Sequence, residues 1–305
     1  MTRTPSLVAG LVVLAASSLA AQQRPPIVSV SFDMLPYSSL ADPLPGTAEE
    51  DLKVSIANPR IQVNLPIRIG RNGALVNSFS YSQLNFNYRE ATAPGNAPDQ
   101  LHALSYRLAL NVPMSERWRF LAFAEPGLAS DLENVESDHL RFQGGVVFTR
   151  RLASGGSVGV GAAVQNNFGQ ALPLPVLNVD ARSGALRFDL RLPRSAGAFL
   201  RAGSGTEIGL AANVEGSHYR LGGAPVEGRR VRYSVLTVGP TVSTRLGSVT
   251  TARLSSGAAV GRRFEIQDAD QNELRSIGLE PAFFVRLSFD FGSRGAAGNG
   301  KDAAR

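Results

Sequence analysis

Three side chains of the sequence are available as imidazole bases, His102, His139 and His218, and their neighbours decide what they could do. A serine hydrolase built on a strand can place His and Ser two residues apart, because positions i and i+2 share a face. The residue two positions on is Leu104 after His102, Arg141 after His139 and Arg220 after His218, so that order is absent. The reverse order occurs in Ser137-Asp138-His139, but Ser137 falls in an expected loop. Ser217 and His218 are sequence neighbours and would point to opposite faces of a strand. No catalytic residues, and no enzyme, are expected.

Ligand-binding patterns fare no better. Asp268-Ala269-Asp270-Gln271-Asn272-Glu273 opens like a calcium loop, with oxygen donors at positions 1, 3 and 5. Position 6 is Glu273 where Gly is needed and position 12 is Leu279 where Glu is needed, so no metal site is expected. Gly155-Gly156-Ser157-Val158-Gly159 is Gly-rich but lacks the Lys and the helix of a phosphate cradle. The chain has no Cys, which removes thiol chemistry, disulfides and a lipid-anchored N-terminal cysteine. No cofactor is implied. The net charge of +6 is modest and dispersed, and no basic cluster interleaved with aromatics appears, so nucleic acid is not expected as a partner.

What remains is charge at alternate positions. Arg187, Asp189 and Arg191 alternate with Leu186, Phe188, Leu190 and Leu192. Arg107 sits between Tyr106 and Leu108 within the run Leu104 to Met114, and Arg286 and Asp290 lie between Val285, Leu287, Phe289 and Phe291. Arg141, Glu215, Arg253 and Glu265 fall on the polar face of further alternating segments. The elements that must position such residues are therefore amphipathic strands. In 51–69 and 74–91 the apolar phase flips once, near Asn58-Pro59 and near Ser82, which predicts a β-bulge at each.

Many amphipathic strands fit either a soluble sandwich or a membrane barrel. Sandwich strands run ~5–6 residues, whereas a tilted bilayer-crossing strand needs ~9–11, and several alternations here persist that long. No apolar run approaches the ~20 residues of a spanning helix, and the mean hydropathy of −0.03 suits alternating strands. Short Gly/Ser turns alternate with longer connections, giving thirteen connections and about fourteen strands, with twelve as the alternative. The expected fold is an all-β transmembrane antiparallel barrel over residues 22–291. It is preceded by a signal peptide over 1–21, with Arg3, an apolar stretch from Leu7 to Ala16 and small residues at the cleavage point, and followed by a disordered tail over 292–305.

The last strand sharpens this expectation. Phe289 and Phe291, with Val285 and Leu287, put aromatics on alternate lipid-facing positions of a final strand, the pattern read by barrel-assembly machinery. With these features the chain resembles bacterial outer-membrane β-barrel proteins. More narrowly, it resembles an uncharacterised family of such barrels known only as a domain of unknown function. The resemblance covers about residues 27 to 291, including Ala124-Glu125-Pro126-Gly127-Leu128, the stretch Pro173 to Leu192, and Gly261-Arg262-Arg263-Phe264 followed by Asp268 to Asn272.

The resemblance implies location in the bacterial outer membrane, with outer-membrane lipid and the assembly machinery as partners and oligomeric state left open. Arg107, Arg141, Arg187, Asp189, Arg191, Arg253, Glu265, Arg286 and Asp290 are the expected lumen-lining residues. In one reading they line a passive or facilitated channel for small hydrophilic solutes. In the other they pair across the lumen and brace a non-conducting barrel that presents its external loops.

Overall fold

The structure, a computed structural model, describes residues 26–70, 72–90, 97–153, 155–165, 172–223, 229–270 and 272–292. The expected signal peptide and the tail beyond Gly292 lie outside the described residues. Among those described, fifteen strands form one sheet: β1 Val28–Ser39, β2 Lys53–Ile69, β3 Gly73–Arg89, β4 Gln100–Pro113, β5 Trp118–Ser130, β6 Leu140–Arg151, β7 Ser157–Gln165, β8 Leu172–Ser183, β9 Leu186–Leu192, β10 Ser195–Arg201, β11 Thr206–Arg220, β12 Arg230–Leu246, β13 Thr250–Gln267, β14 Glu273–Leu279 and β15 Ala282–Phe291. From β1 to β14 each pairs antiparallel with its sequence neighbours, β15 pairs with β13, and β1 pairs with β15 from Val28↔Phe291 to Met34↔Val285, which closes the sheet into a barrel. β14 and β15 both pair with β13 and are one stave interrupted at Glu280-Pro281, where proline has no N–H to give the ladder. The wall therefore has fourteen staves, all antiparallel. Both ends of the described chain lie at the end of the barrel that carries the short turns; the longer connections lie at the other.

In the half nearer the turns the strands follow the membrane pattern. Val30, Phe32, Ile61, Leu65, Ile67, Phe79, Leu104, Leu108, Phe142, Val146, Val160, Phe188, Leu254 and Leu287 are exposed on the outer surface. The apolar outer row of β12 runs from Leu246 to Leu236, roughly 33 Å of strand, or about 25 Å of height at a barrel's ~40° tilt, the depth of a bilayer's apolar band. Ser, Asn, Gln, Arg, Asp and Glu occupy much of the inward row.

Towards the loops the pattern inverts. Leu35, Val54, Ile56, Leu84, Phe86, Leu101, Ala103, Tyr219, Val231, Tyr233, Val235 and Phe284 point inward and are buried in one apolar cluster, with Phe264 packed on Phe86 and Tyr233. The outward positions of the same strands carry Gln83, Asn85, Asn87, His102, His218, Arg220, Arg230 and Arg232. The two bulges expected from the apolar phase are absent. The β2–β3 ladder keeps one register from Lys53↔Arg89 to Ile69↔Gly73, through Asn58-Pro59 and Ser82 alike. The side chains never swap faces there; the interior changes from polar to apolar, and the exterior changes in the opposite sense.

The cause is the number of staves. β6 to β10 stop progressively earlier: β7 ends opposite Gln143, β9 ends at Leu192 opposite Leu177, and β10 begins at Ser195 opposite Asn213. β11 continues past that point without β10, still paired with β12, to Arg220, which bridges Ser130 of β5. The loop end is thus ringed by nine staves, β1 to β5, β11, β12, β13 and β14, against fourteen below. A ring of about eight strands has an interior that side chains just fill, so apolar residues pack it as they would a small soluble barrel. Asp131 seals the join by accepting from the N–H groups of Gly222 at 3.1 Å and Gly223 at 3.2 Å, while Asn134 donates to the Gly222 carbonyl at 3.0 Å. A Cβ on Gly222 would lie 1.8 Å from the Glu133 carbonyl oxygen, so only glycine fits this clamp.

Candidate functional site

The inward charges gather below the apolar section. Arg286 on β15 donates to Asp33 on β1 through Nε at 2.6 Å and Nη2 at 2.8 Å, a bidentate pair. The same guanidinium reaches Glu215 on β11, which also pairs with Arg60 on β2, and Arg60 lies 3.1 Å from Asp33. Four strands separate β11 from β2 along the wall, so Glu215 meets Arg60 and Arg286 across the lumen. Two cations and two anions form a cross-brace, with a cavity of only about 20 Å³ beside it, lined by Asn58, Leu84, Tyr233 and Phe284.

Two further clusters lie elsewhere round the wall, one on β4–β5 and one on β9–β10. Arg107 Nε donates to Glu125 at 2.6 Å, with its guanidinium 5.0 Å from the Phe123 ring. Both members are buried, and Ala109, Val147 and Ala163 form an apolar lining nearby. In the hairpin β9–β10, Asp189 is shared by Arg187 at 3.2 Å and Arg191 at 2.7 Å. Arg187 also pairs with Glu207 at 2.8 Å and stacks on Phe199 at 4.4 Å.

Arg107, Arg141, Arg187, Asp189, Arg191, Arg253, Arg286 and Asp290 occupy inward positions of their strands. Asp290 accepts from Ser29 Oγ at 2.6 Å, Arg141 packs at Gly127, and Arg253 sits between Ser243 and Ser288 near the turn end. Glu265 does not line the lumen. β13 carries one extra residue between its pairings with Ser234 and Leu236, at Gly261 with φ +59°, and this glycine bulge turns Glu265 outward to meet Arg232 at 2.9 Å. The same bulge sends Arg262 into the apolar section, where its Nη1 bonds Ser38 and the Glu280 carbonyl. Asp33 and Arg60, half of the cross-brace, were missed by the sequence reading because neither lies in a run of alternating charges. Their signal was a charge at an inward position just below the apolar run, Asp33 one step below Leu35 and Arg60 two steps below Ile56.

The residues weighed for catalysis have structural roles. His139 closes a 3-10 turn, Ser137–His139, its Nδ1 accepting the Glu136 N–H at 2.9 Å. His102 Nδ1 lies 2.9 Å from the Tyr81 hydroxyl on the outer surface, and Ser217 and His218 face opposite sides of β11. In the loop after β13, Asp268 accepts from the Asn272 N–H at 2.8 Å and its amide at 2.9 Å, bonds that hold its carboxyl below the usual range. The loop closes on itself, and among the described residues no group of three or more His, Asp or Glu is placed to hold a metal ion. The first long loop folds over the barrel end, where Arg275 bonds Glu49 at 2.7 Å and holds its carboxyl below the ordinary range. Phe289 and Phe291 lie on the outer row of β15, ring centroids 6.4 Å apart.

No curated protein sequence matches the chain. Among solved structures, an outer-membrane channel from Pseudomonas putida F1 is similar at 10% identity and a TM-score of 0.49, over 92% of this chain and 99% of that one. A variant of TodX, a monoaromatic hydrocarbon channel, is similar at 8% identity and a TM-score of 0.41, over 87% and 89%. The β domain of the Bordetella autotransporter BrkA is similar at 10% and 0.30, over 87% and 99%. At such scores these neighbours carry no functional information for this chain. Residues 17–292 match the family model described as a domain of unknown function (DUF6268), and the chain belongs to that family.

Proposed function

We propose that the protein is a channel of the bacterial outer membrane for small hydrophilic solutes, with its exit on the side of the barrel. The observation that carries this reading is the change from fourteen staves to nine. A fourteen-stave section is wider than side chains alone fill, and its inner row is charged. The axial way out is shut by the cross-brace and the apolar section. β6 to β10 stop short, and the β9–β10 turn at Pro193-Arg194 lies level with Asn213, where the apolar outer row of β11 gives way to Gly216, His218 and Arg220. A solute leaving over this turn emerges above the lipid band.

Arg194 is at the tip and Arg191, paired with Asp189, lies beneath it, so a change of charge at the tip alters the field on that path. In planar bilayers the protein should conduct, and Arg194→Glu should shift the reversal potential towards cations, less so at 1 M salt than at 0.1 M. No conductance in the parent would sink the reading. A non-conducting barrel that presents its loops is the second reading, favoured by the mutual pairing of Arg107 with Glu125 and of Asp33, Arg60, Glu215 and Arg286.

A further inference from the structure

At the turn end of the barrel the charges on the inner wall do not balance. Counted from the turns, the first two inward positions of β8 to β11 carry Arg182, Arg187 and Arg201 with Asp180, Asp189 and Glu207. These charges are matched: Arg182 meets Asp180 at 3.2 Å, Arg187 meets Asp189 at 3.2 Å and Glu207 at 2.8 Å, and Arg201 stands opposite Glu207 in the ladder. The same positions on the remaining staves carry Arg68, Arg119, Arg151, Arg245 and Arg253 and a single carboxylate, Asp290, which accepts from Ser29 Oγ. The five arginines share strand faces with Asn64, Phe123, Val147, Thr241 and Ser255, which are buried on the lumen side, so they point inward.

Among the described residues none of these five has a carboxylate at ion-pair distance. Arg119 donates through Nε to Asn111 at 3.0 Å, a neutral acceptor, and lies close enough to Arg151 to feel its charge. Arg68, Arg151 and Arg253 are exposed to the opening. In the described turns the charged residues are Glu116 and Arg117, which cancel. The excess is also distributed: Arg119 and Arg151 sit on adjacent staves, Arg245 and Arg253 on another adjacent pair, and β7 to β11 lie between the two pairs. Five guanidinium groups against one carboxylate, held in a low-dielectric wall, concentrate anions in the space between them. An ion of higher charge gains more from the same field, and guanidinium forks match carboxylate and phosphate oxygens bidentately.

We propose that the turn-end vestibule binds small polyvalent anions, with Arg119 and Arg151 on one side and Arg245 and Arg253 on another, and that such anions are the solutes of the channel. The second clause rests on the channel reading above; the binding site does not.

The test uses the absence of native Cys and the whole protein in uncharged detergent. Thr149→Cys, opposite Arg119 and two residues from Arg151, and Ser288→Cys, opposite Arg253, each place one thiol in the vestibule. Each is reacted with an anionic and a cationic methanethiosulfonate, with rates normalised to a small thiol in solution. The anionic reagent should be favoured roughly tenfold at 0.1 M salt and less at 1 M. Arg119→Gln/Arg151→Gln should remove the preference at position 149, and Arg151→Gln alone, which breaks no side-chain bond, should reduce it should the double variant fold poorly. Arg253→Gln should do the same at position 288. Citrate and inorganic phosphate, separate arms for carboxylate and phosphate, should each slow the anionic reagent more than chloride of equal ionic strength. Equal normalised rates for the two reagents, or a preference unchanged in folded Arg variants, would overturn the proposal. So would equal slowing by all three anions, which is screening rather than binding. Failure of the channel reading is read separately, as no conductance in bilayers from protein whose thiols keep the anionic preference.

Discussion

Strand β2 passes through both sections of the barrel. Near the loops Val54 and Ile56 point inward and are buried, as in a soluble domain; near the turns Arg60, Gln62 and Asn64 point inward while Ile61, Leu65 and Ile67 face out. The backbone register does not change between them. Alternation makes a strand amphipathic but leaves its sense open. The sense is set by what lies on each side: lipid outside a wide ring below, water outside a narrow, side-chain-filled ring above. The apparent change of phase at Asn58-Pro59 is therefore the boundary between two solvents.

The strongest way to break this comparison is to place the same charge on the same strand on either side of that boundary. Ile56→Arg puts an unpaired cation into the apolar section, where a buried charge without a partner costs about 3–5 kcal/mol. It should abolish or sharply weaken the folded gel form in urea titrations, whereas Asn85→Arg on the outer surface at similar height should leave the midpoint unchanged. Equal effects would mean that the loop end is not a closed core. Ile61→Arg, on the outer surface below the boundary, should cost about 2–4 kcal/mol if that surface faces lipid. A neutral result there, measured by refolding into vesicles, would place position 61 in water and move the boundary down.

Smaller effects sharpen the account of how nine staves close. Gly222→Ala drives a methyl group into the Glu133 carbonyl and should cost about 1–3 kcal/mol. Hydrogen exchange should then rise at Leu221 to Gly223 and at Asp131, and remain unchanged at the β1–β15 seam.

The weakest expected effect is acid release of the first loop. Arg275 lowers the pKa of Glu49 below its ordinary 4.5, so the pair's contribution is present above about 4.5 and is lost as pH falls through the lower folded-state value. Both groups are partly exposed, so the stabilisation is under about 1 kcal/mol. Proteolysis of the 40–52 connection should rise at low pH in the parent, and Glu49→Gln should show the raised rate at neutral pH.

Much of this was legible in the chain. Residues such as Leu186 to Leu192 and Phe283 to Phe291 alternate without interruption, and the strand positions, the even number of staves and the side of the wall taken by Arg107, Arg187, Asp189, Arg191 and Arg286 follow from that parity. Parity is a local property, fixed by the pleat of each strand. Glu265 escaped it because one glycine in the left-handed region shifts every later residue by one face, and Gly261 looks like any other glycine in the sequence.

Pairing of charges was also outside its reach. Glu215 meets Arg60 and Arg286 only because the barrel closes and β11 comes to face β2, a contact between residues 155 and 71 positions apart. The sequence by itself determined that the chain makes amphipathic strands long enough for a barrel wall. Only the tertiary structure decided where fourteen staves become nine, and hence which apolar residues meet lipid and which meet one another, because ring width belongs to the closed sheet and to no single strand.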